Sequence, residues 1–180
     1  DGDKLTYTNT EVDSIRGLYR NKHIIFALGR LAYYKGFSYL VESAKYLSDD
    51  FVLLIGGSGD LHDDLQRLIH QNKLGGKVKL IGRIEDSVLG NYYQACDVFC
   101  LPSIVKTEAF GVVQIEAMSF GRPVVATKIE GSGVSWVNQH EVTGLNVIPK
   151  CPHSLAKAFQ SILFSNDKYR SYSKNALERF

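Results

Sequence analysis

Short apolar runs that do not alternate with polar residues are separated, from residue 23 onward, by stretches of helical period, and this alternation constrains the fold most. The runs are His23–Leu28, Phe51–Ile55, Val78–Ile81, Asp97–Leu101 and Pro123–Ala126, with a last strand near Leu145–Val147. Between them the spacing predicts helices over 36–47, 61–74, 86–95 and 111–120, then two closing helices over 154–164 and 168–177. Leu61, Leu65, Leu68 and Ile69 fall on one helical face, and Asp86 is placed to cap the helix it opens. Strands apolar on both sides need covering on both faces, so the pattern predicts a doubly wound α/β fold with a parallel sheet. On such a sheet ligands bind beyond the carboxyl ends of the strands.

The 180 residues suffice for one domain with a substantial core, expected over residues 21–180. Residues 1–20 read as a connector with a short helix around Glu11–Tyr19. The start lacks Met and a signal-peptide pattern, so the sequence is expected to be a piece of a longer chain. A formal net charge of +2 is too small to attract nucleic acid or a membrane by bulk electrostatics, so an anionic ligand must be held locally. No apolar run reaches the ~18 residues of a membrane-spanning helix. Three cysteines (Cys96, Cys100, Cys151) form no disulfide framework and point to free thiols in a reducing compartment; Cys96 and Cys100 read as small buried hydrophobes. The five histidines are scattered at 23, 62, 70, 140 and 153 and read as surface or packing residues, so no metal-ligand cluster is expected.

The segments after the strands carry the chemistry. Gly29-Arg30 and Lys35-Gly36 flank a short loop after the first strand. An Arg fork and a compact Lys charge suit a diphosphate, although two solvated surface cations would look the same. Gly56-Gly57-Ser58-Gly59 ahead of a helix lets backbone approach an anion, and is equally an ordinary tight turn. The segment Pro102–Gly121 says most. Glu108 stands before a helix, and Glu116 lies inside it among Val112, Val113, Ile115, Ala117 and Met118. A carboxylate in such company is costly without hydrogen-bond donors, which vicinal hydroxyls of a polyol supply, although a plain helix-start carboxylate at Glu108 and a solvated Glu116 would look the same. The N–H groups of Phe110, Gly111 and Val112 are unpaired donors at the helix start, suited to a phosphate.

Taken in order, these pieces resemble glycosyltransferase family 4, the retaining enzymes of GT-B fold. The resemblance rests on Gly29-Arg30, Lys35-Gly36, Gly56–Gly59, Gly82, the E-x7-E spacing of Glu108 and Glu116, Gly121–Val125, the turn at Gly131–Gly133 and Thr143–Leu145. It implies a Rossmann-like domain, the C-terminal, donor-binding half of a GT-B enzyme, whose other half carries the acceptor site. It implies catalytic roles for Arg30, Lys35 and Glu108: the two cations hold the donor diphosphate and steady charge on the leaving nucleotide, and Glu108 binds hydroxyls of the donor sugar. Donor binding falls to Gly29, Gly57, Arg83, Ile84, Phe110, Gly111, Val112 and Glu116. Glu116 takes the ribose hydroxyls, and Gly82-Arg83-Ile84 meets the nucleobase through backbone. One position departs from the family pattern. Where a Glu often follows the turn at Gly131, this chain has Ser135, and that donor contact is in doubt.

The resemblance therefore implies a hexosyltransferase domain that takes a hexose from a nucleoside-diphosphate sugar, with no metal or other cofactor. The acceptor is expected to be a glycan or a lipid-linked sugar. Cytoplasmic placement follows, with peripheral association of the full enzyme at the inner membrane face left open, since no basic amphipathic helix is visible here. A non-catalytic nucleotide-sugar-binding module is the alternative. A dinucleotide oxidoreductase or a P-loop NTPase would need a fingerprint this sequence lacks. One of Tyr33 and Tyr34, which lie between Arg30 and Lys35, is expected to face the cleft.

Overall fold

A computed structural model describes residues 5–180; the expected connector's residues 1–4 lie outside the described part. Six strands form one parallel sheet: β1 His23–Leu28, β2 Phe51–Gly56, β3 Val78–Gly82, β4 Val98–Leu101, β5 Val124–Thr127 and β6 Gly144–Val147. Their order is β3-β2-β1-β4-β5-β6, the doubly wound, Rossmann-like arrangement expected. The order reverses between β1 and β4, so the loops leaving these two strands diverge and open a crevice at their carboxyl ends.

Eight helices accompany the strands among the described residues: α1 Asn9–Leu18, α2 Phe37–Ser43, α3 His62–Gln71, α4 Asp86–Ala95, α5 Val112–Ser119, α6 Val134–Val137, α7 Pro152–Leu163 and α8 Asn166–Arg179. The sheet divides the core into two layers. Ile25, Ala27, Leu53, Ile55, Val98 and Cys100 point to the layer of α2, α3 and α7. Ile24, Phe26, Val52, Leu54, Phe99 and Leu101 point to that of α4, α5 and α6. Period-two alternation exists in space, but both faces are apolar, so the sequence shows a continuous run. Tyr172 and Ala176 of α8 reach one layer each and tie the two together.

The expected elements recur with local differences. The helix expected over 36–47 is α2 followed by a separate 3-10 turn over Ala44–Tyr46. Asp86 is the first residue of α4 rather than its cap. Glu85 holds the cap position in extended conformation, and its side chain caps nothing. Strand β4 starts at Val98, and the Asp97 side chain just before it is a junction: Oδ2 accepts the Ile24 N–H at 2.7 Å, and the two oxygens take the Arg16 guanidinium, at 3.1 and 2.6 Å. This fork fastens α1 to the sheet. Asn91 accepts the Thr8 N–H at 2.9 Å, and Gly90 lets the chain at Thr6 lie directly on α4, where a Cβ would stand 2.0 Å from the Thr6 carbonyl oxygen. Residues 5–18 therefore lie against α4.

Cys96 and Cys100 are fully buried and Cys151 is half-buried, as the sequence predicted for the first two. Burial pushes the Cys96 thiol up to about 12 and pushes Cys100 up as well. Hydrogen bonds from Ser154, whose Oγ lies 3.0 Å from the sulfur, draw Cys151 below the ordinary thiol range. Because the thiolate is the reactive form, a maleimide at pH 8 is expected to label Cys151 first and to leave Cys96 and Cys100 untouched until the chain unfolds. Peptide mass spectrometry of the native protein checks this, and labelling of Cys96 at a rate matching Cys151 would refute it.

Candidate functional site

The loop leaving β1 and the loop leaving β4 meet across the crevice. Gly36 makes the meeting possible. It stands in left-handed conformation (φ 69°), and a Cβ there would lie 2.1 Å from the Pro102 carbonyl oxygen. The Ile104 N–H donates to the Tyr34 carbonyl at 2.8 Å and sews the loops together. This contact brings Lys35 to Glu108. The Lys35 ammonium donates to Glu108 Oε2 at 2.5 Å, with the two side chains only 13% and 10% exposed.

Ser103, wholly buried, donates its hydroxyl to the same Oε2 at 2.7 Å. Its own carbonyl accepts the Thr127 hydroxyl from β5. Glu108 Oε1 receives no protein donor among the described residues. The backbone of the Glu108 loop is also held: the Ser132 hydroxyl donates to the Glu108 carbonyl, and the Gly133 N–H donates to Ala109 at 2.7 Å. Glu108 is thus a fixed carboxylate with one oxygen satisfied internally and one left for hydroxyl donors.

Gly111 caps α5 with a left-handed backbone (φ 62°). The N–H groups of Phe110, Gly111 and Val112 meet no acceptor among the described residues. Phe110 and Val112 are exposed beside them. These amides and the start of the helix favour an anion. Further along α5, half-buried Glu116 accepts the Tyr93 hydroxyl on Oε2 at 2.7 Å.

A second group of the expected residues lines one open hollow of about 420 Å³, bounded by Gly29, Arg30, Gly57, Arg83 and Ile84 with Leu28, Ser58 and Gly59. Gly57, at φ 125°, lies against the backbone of Gly29, where a Cβ would stand 1.9 Å from the Gly29 carbonyl oxygen. Arg30 is 67% exposed and its only ion-pair partner among the described residues is the exposed Asp60, at 3.8 Å. It can therefore swing toward a ligand, whereas Lys35 is held. Arg83 is likewise exposed and paired with Glu85 at 3.2 Å.

Of the two tyrosines, Tyr34 is the one at the site, with its ring centroid 5.4 Å from the Lys35 ammonium; Tyr33 lies toward α3. Ser135 Oγ is shut off from solvent and has no partner among the described residues, so it does not stand in the crevice as a spare hydroxyl. Among the described residues no three of His, Cys, Asp and Glu converge as a metal site would require, and no helix is long and apolar enough to cross a membrane.

Sequence reasoning missed Ser103 and Tyr93. Ser103 lies two residues beyond the end of β4 and could have been found by the rule that directs attention to strand ends. Tyr93 sits in α4, far in sequence from the carboxylate it touches, and nothing local marks it.

Residues 9–179 match the family model of the glycosyl transferases group 1. The chain is 35% identical over 161 residues to an uncharacterized glycosyltransferase of Methanocaldococcus jannaschii, covering 88% of this chain and 40% of that protein. It is 29% identical over 153 residues to the O-antigen chain mannosyltransferase C of Escherichia coli, covering 85% and 40% respectively. Its fold matches that of Anabaena HepE, solved in complex with UDP-glucose, with a TM-score of 0.87 and 22% identity over 98% of this chain and 49% of that one. The chain thus spans about 40% of the length of these curated relatives.

Proposed function

Because this chain belongs to the glycosyl transferases group 1 family, we propose that it binds a nucleoside-diphosphate sugar and forms the C-terminal, donor-binding half of a retaining GT-B hexosyltransferase. The observation that carries the proposal is the junction of Lys35, Glu108 and the unpaired amides of Phe110–Val112 at the point where the strand order reverses. A cation and a row of amides suit the donor's phosphates, and a fixed carboxylate with an open oxygen suits its sugar hydroxyls.

In this reading Arg30 and Lys35 meet the diphosphate charge without a metal ion and stabilise the charge that develops on the leaving nucleotide. Glu108 orients the hexose, Glu116 takes the ribose hydroxyls, and Gly29, Gly57, Arg83 and Ile84 border the nucleotide. The first 20 residues lead to an acceptor-binding domain, and the acceptor is a glycan or a lipid-linked sugar, met in the cytoplasm. Relatives whose length is more than twice the matched portion, one of them named an O-antigen chain mannosyltransferase, support the further domain and the glycan acceptor.

Calorimetric titration of the chain with UDP, GDP, ADP and their sugar conjugates tests the proposal. One nucleotide is expected to bind, and both Arg30→Ala and Glu116→Ala are expected to weaken it about tenfold or more, as loss of a charged hydrogen bond does. Binding unaffected by either substitution would place the nucleotide elsewhere and sink the assignment.

A further inference from the structure

We propose that Tyr93, a residue of neither motif, is the positioning residue that orients Glu116 and thereby sets the preference of this site for a ribose over a deoxyribose nucleotide. The proposal rests on the reading of Glu116 as the acceptor of ribose hydroxyls. Its own observation is the hydrogen bond from the Tyr93 hydroxyl to Glu116 Oε2, at 2.7 Å.

The donor in that bond cannot move. The Tyr93 side chain is fully buried, and its ring is enclosed by Phe26, Phe99 and Phe120, with centroids 5.4, 5.6 and 5.6 Å away. Edge and stacked contacts of this kind fix a ring in orientation as well as place. Glu116 by contrast is half-buried, and its side chain has three rotatable bonds. When a rigid hydroxyl holds one oxygen of a mobile carboxylate, the carboxylate is ordered before a ligand arrives, and the ordering cost is removed from binding. The engaged oxygen is Oε2, and Oε1 receives no protein donor among the described residues, which leaves it for hydroxyl donors of a ligand. Burial and the neighbouring Glu116 charge push the Tyr93 phenol well above its ordinary range, so it stays a proton donor throughout the working pH. Glu108 is served in the same way by Ser103, so each carboxylate of the pair has one oxygen held by a buried neutral hydroxyl.

The test is a titration of wild type and Tyr93→Phe with UDP and 2′-deoxy-UDP, or with the corresponding pair for whichever base binds. Wild type is expected to prefer the ribonucleotide by about tenfold, as a hydrogen bond to a charged group provides. In Tyr93→Phe the ribonucleotide is expected to weaken by roughly threefold to tenfold, and the deoxy compound, which keeps one of the two hydroxyls, by distinctly less. In a Glu116→Ala background the same substitution is expected to change neither affinity. A substitution that only loosens the core would weaken both nucleotides equally and would act in both backgrounds, and that pattern overturns the assignment. A ribose preference that survives intact in Tyr93→Phe overturns it while leaving the role of Glu116 standing. Wild type without any ribose preference overturns the reading of Glu116 and the proposal with it.

Discussion

Replacing Lys35 with Met is expected to lower kcat/KM of the full-length enzyme by about 10²–10³-fold, the usual consequence of removing one preorganised group that faces developing negative charge. The same substitution is expected to destabilise the fold. It strips Glu108, only 10% exposed, of its cation and leaves the carboxylate with the Ser103 hydroxyl alone. Breaking a buried pair on one side costs about 3 kcal/mol or more, which for a domain of this size lowers the melting temperature by roughly 6–12 °C. The double variant Lys35→Met with Glu108→Gln separates the two effects. Removing the stranded charge restores most of the stability, because what destabilises the single variant is the unpaired charge rather than a lost attraction. It does not restore transfer. Steady-state kinetics of the full-length enzyme and thermal melts of the chain give both quantities. A Lys35→Met protein that transfers sugar at the wild-type rate would remove Lys35 from the site.

The second large effect is expected at Gly36. Changing it to Ala forces a side chain into left-handed backbone and drives a Cβ to 2.1 Å from the Pro102 carbonyl oxygen, a rigid neighbour that cannot turn aside. Left-handed strain alone costs about 1–2 kcal/mol, and relieving the overlap parts the two loops that hold Lys35 against Glu108. A total loss of about 2–4 kcal/mol is expected, together with weaker nucleotide binding. Gly82→Ala is the internal control. Its backbone has a similar φ of 71°, but a Cβ there meets nothing within 4 Å. Only the conformational cost, about 1–2 kcal/mol, should appear. Urea unfolding of the two variants makes the comparison, and equal losses would show that the contact between the loops is unimportant.

Much of this architecture is legible in the sequence because parallel strands covered on both faces leave an unmistakable apolar run. The position of every strand could be read to within a residue or two, and the strand-end rule directed attention to Arg30, Lys35 and Glu108. Strand order was not read from the runs themselves. It depends on which crossovers pass which face, and the runs are equally apolar on both sides. The limits of helices were harder to read where side chains do something other than continue a pattern. Asp86 has the right chemistry for a cap, yet the chain enters α4 one residue earlier. Asp97 looks like the start of a strand, but its carboxylate ties together α1 and β1. The partners of the two carboxylates depend on contacts across elements. Ser103 lies five residues from Glu108 and could be guessed, whereas Tyr93 lies 23 residues from Glu116 on a different helix and could not.

The division of the core into two layers has an evolutionary side. The layer of α4 and α5 contains Tyr93 and borders Glu116, while the layer of α2, α3 and α7 reaches neither. Substitutions at Ile25, Leu53 or Phe159 can therefore be compensated by their own neighbours without passing through the residues that would select a nucleotide. A lineage can rewrite one half of its hydrophobic interior while the other keeps its geometry.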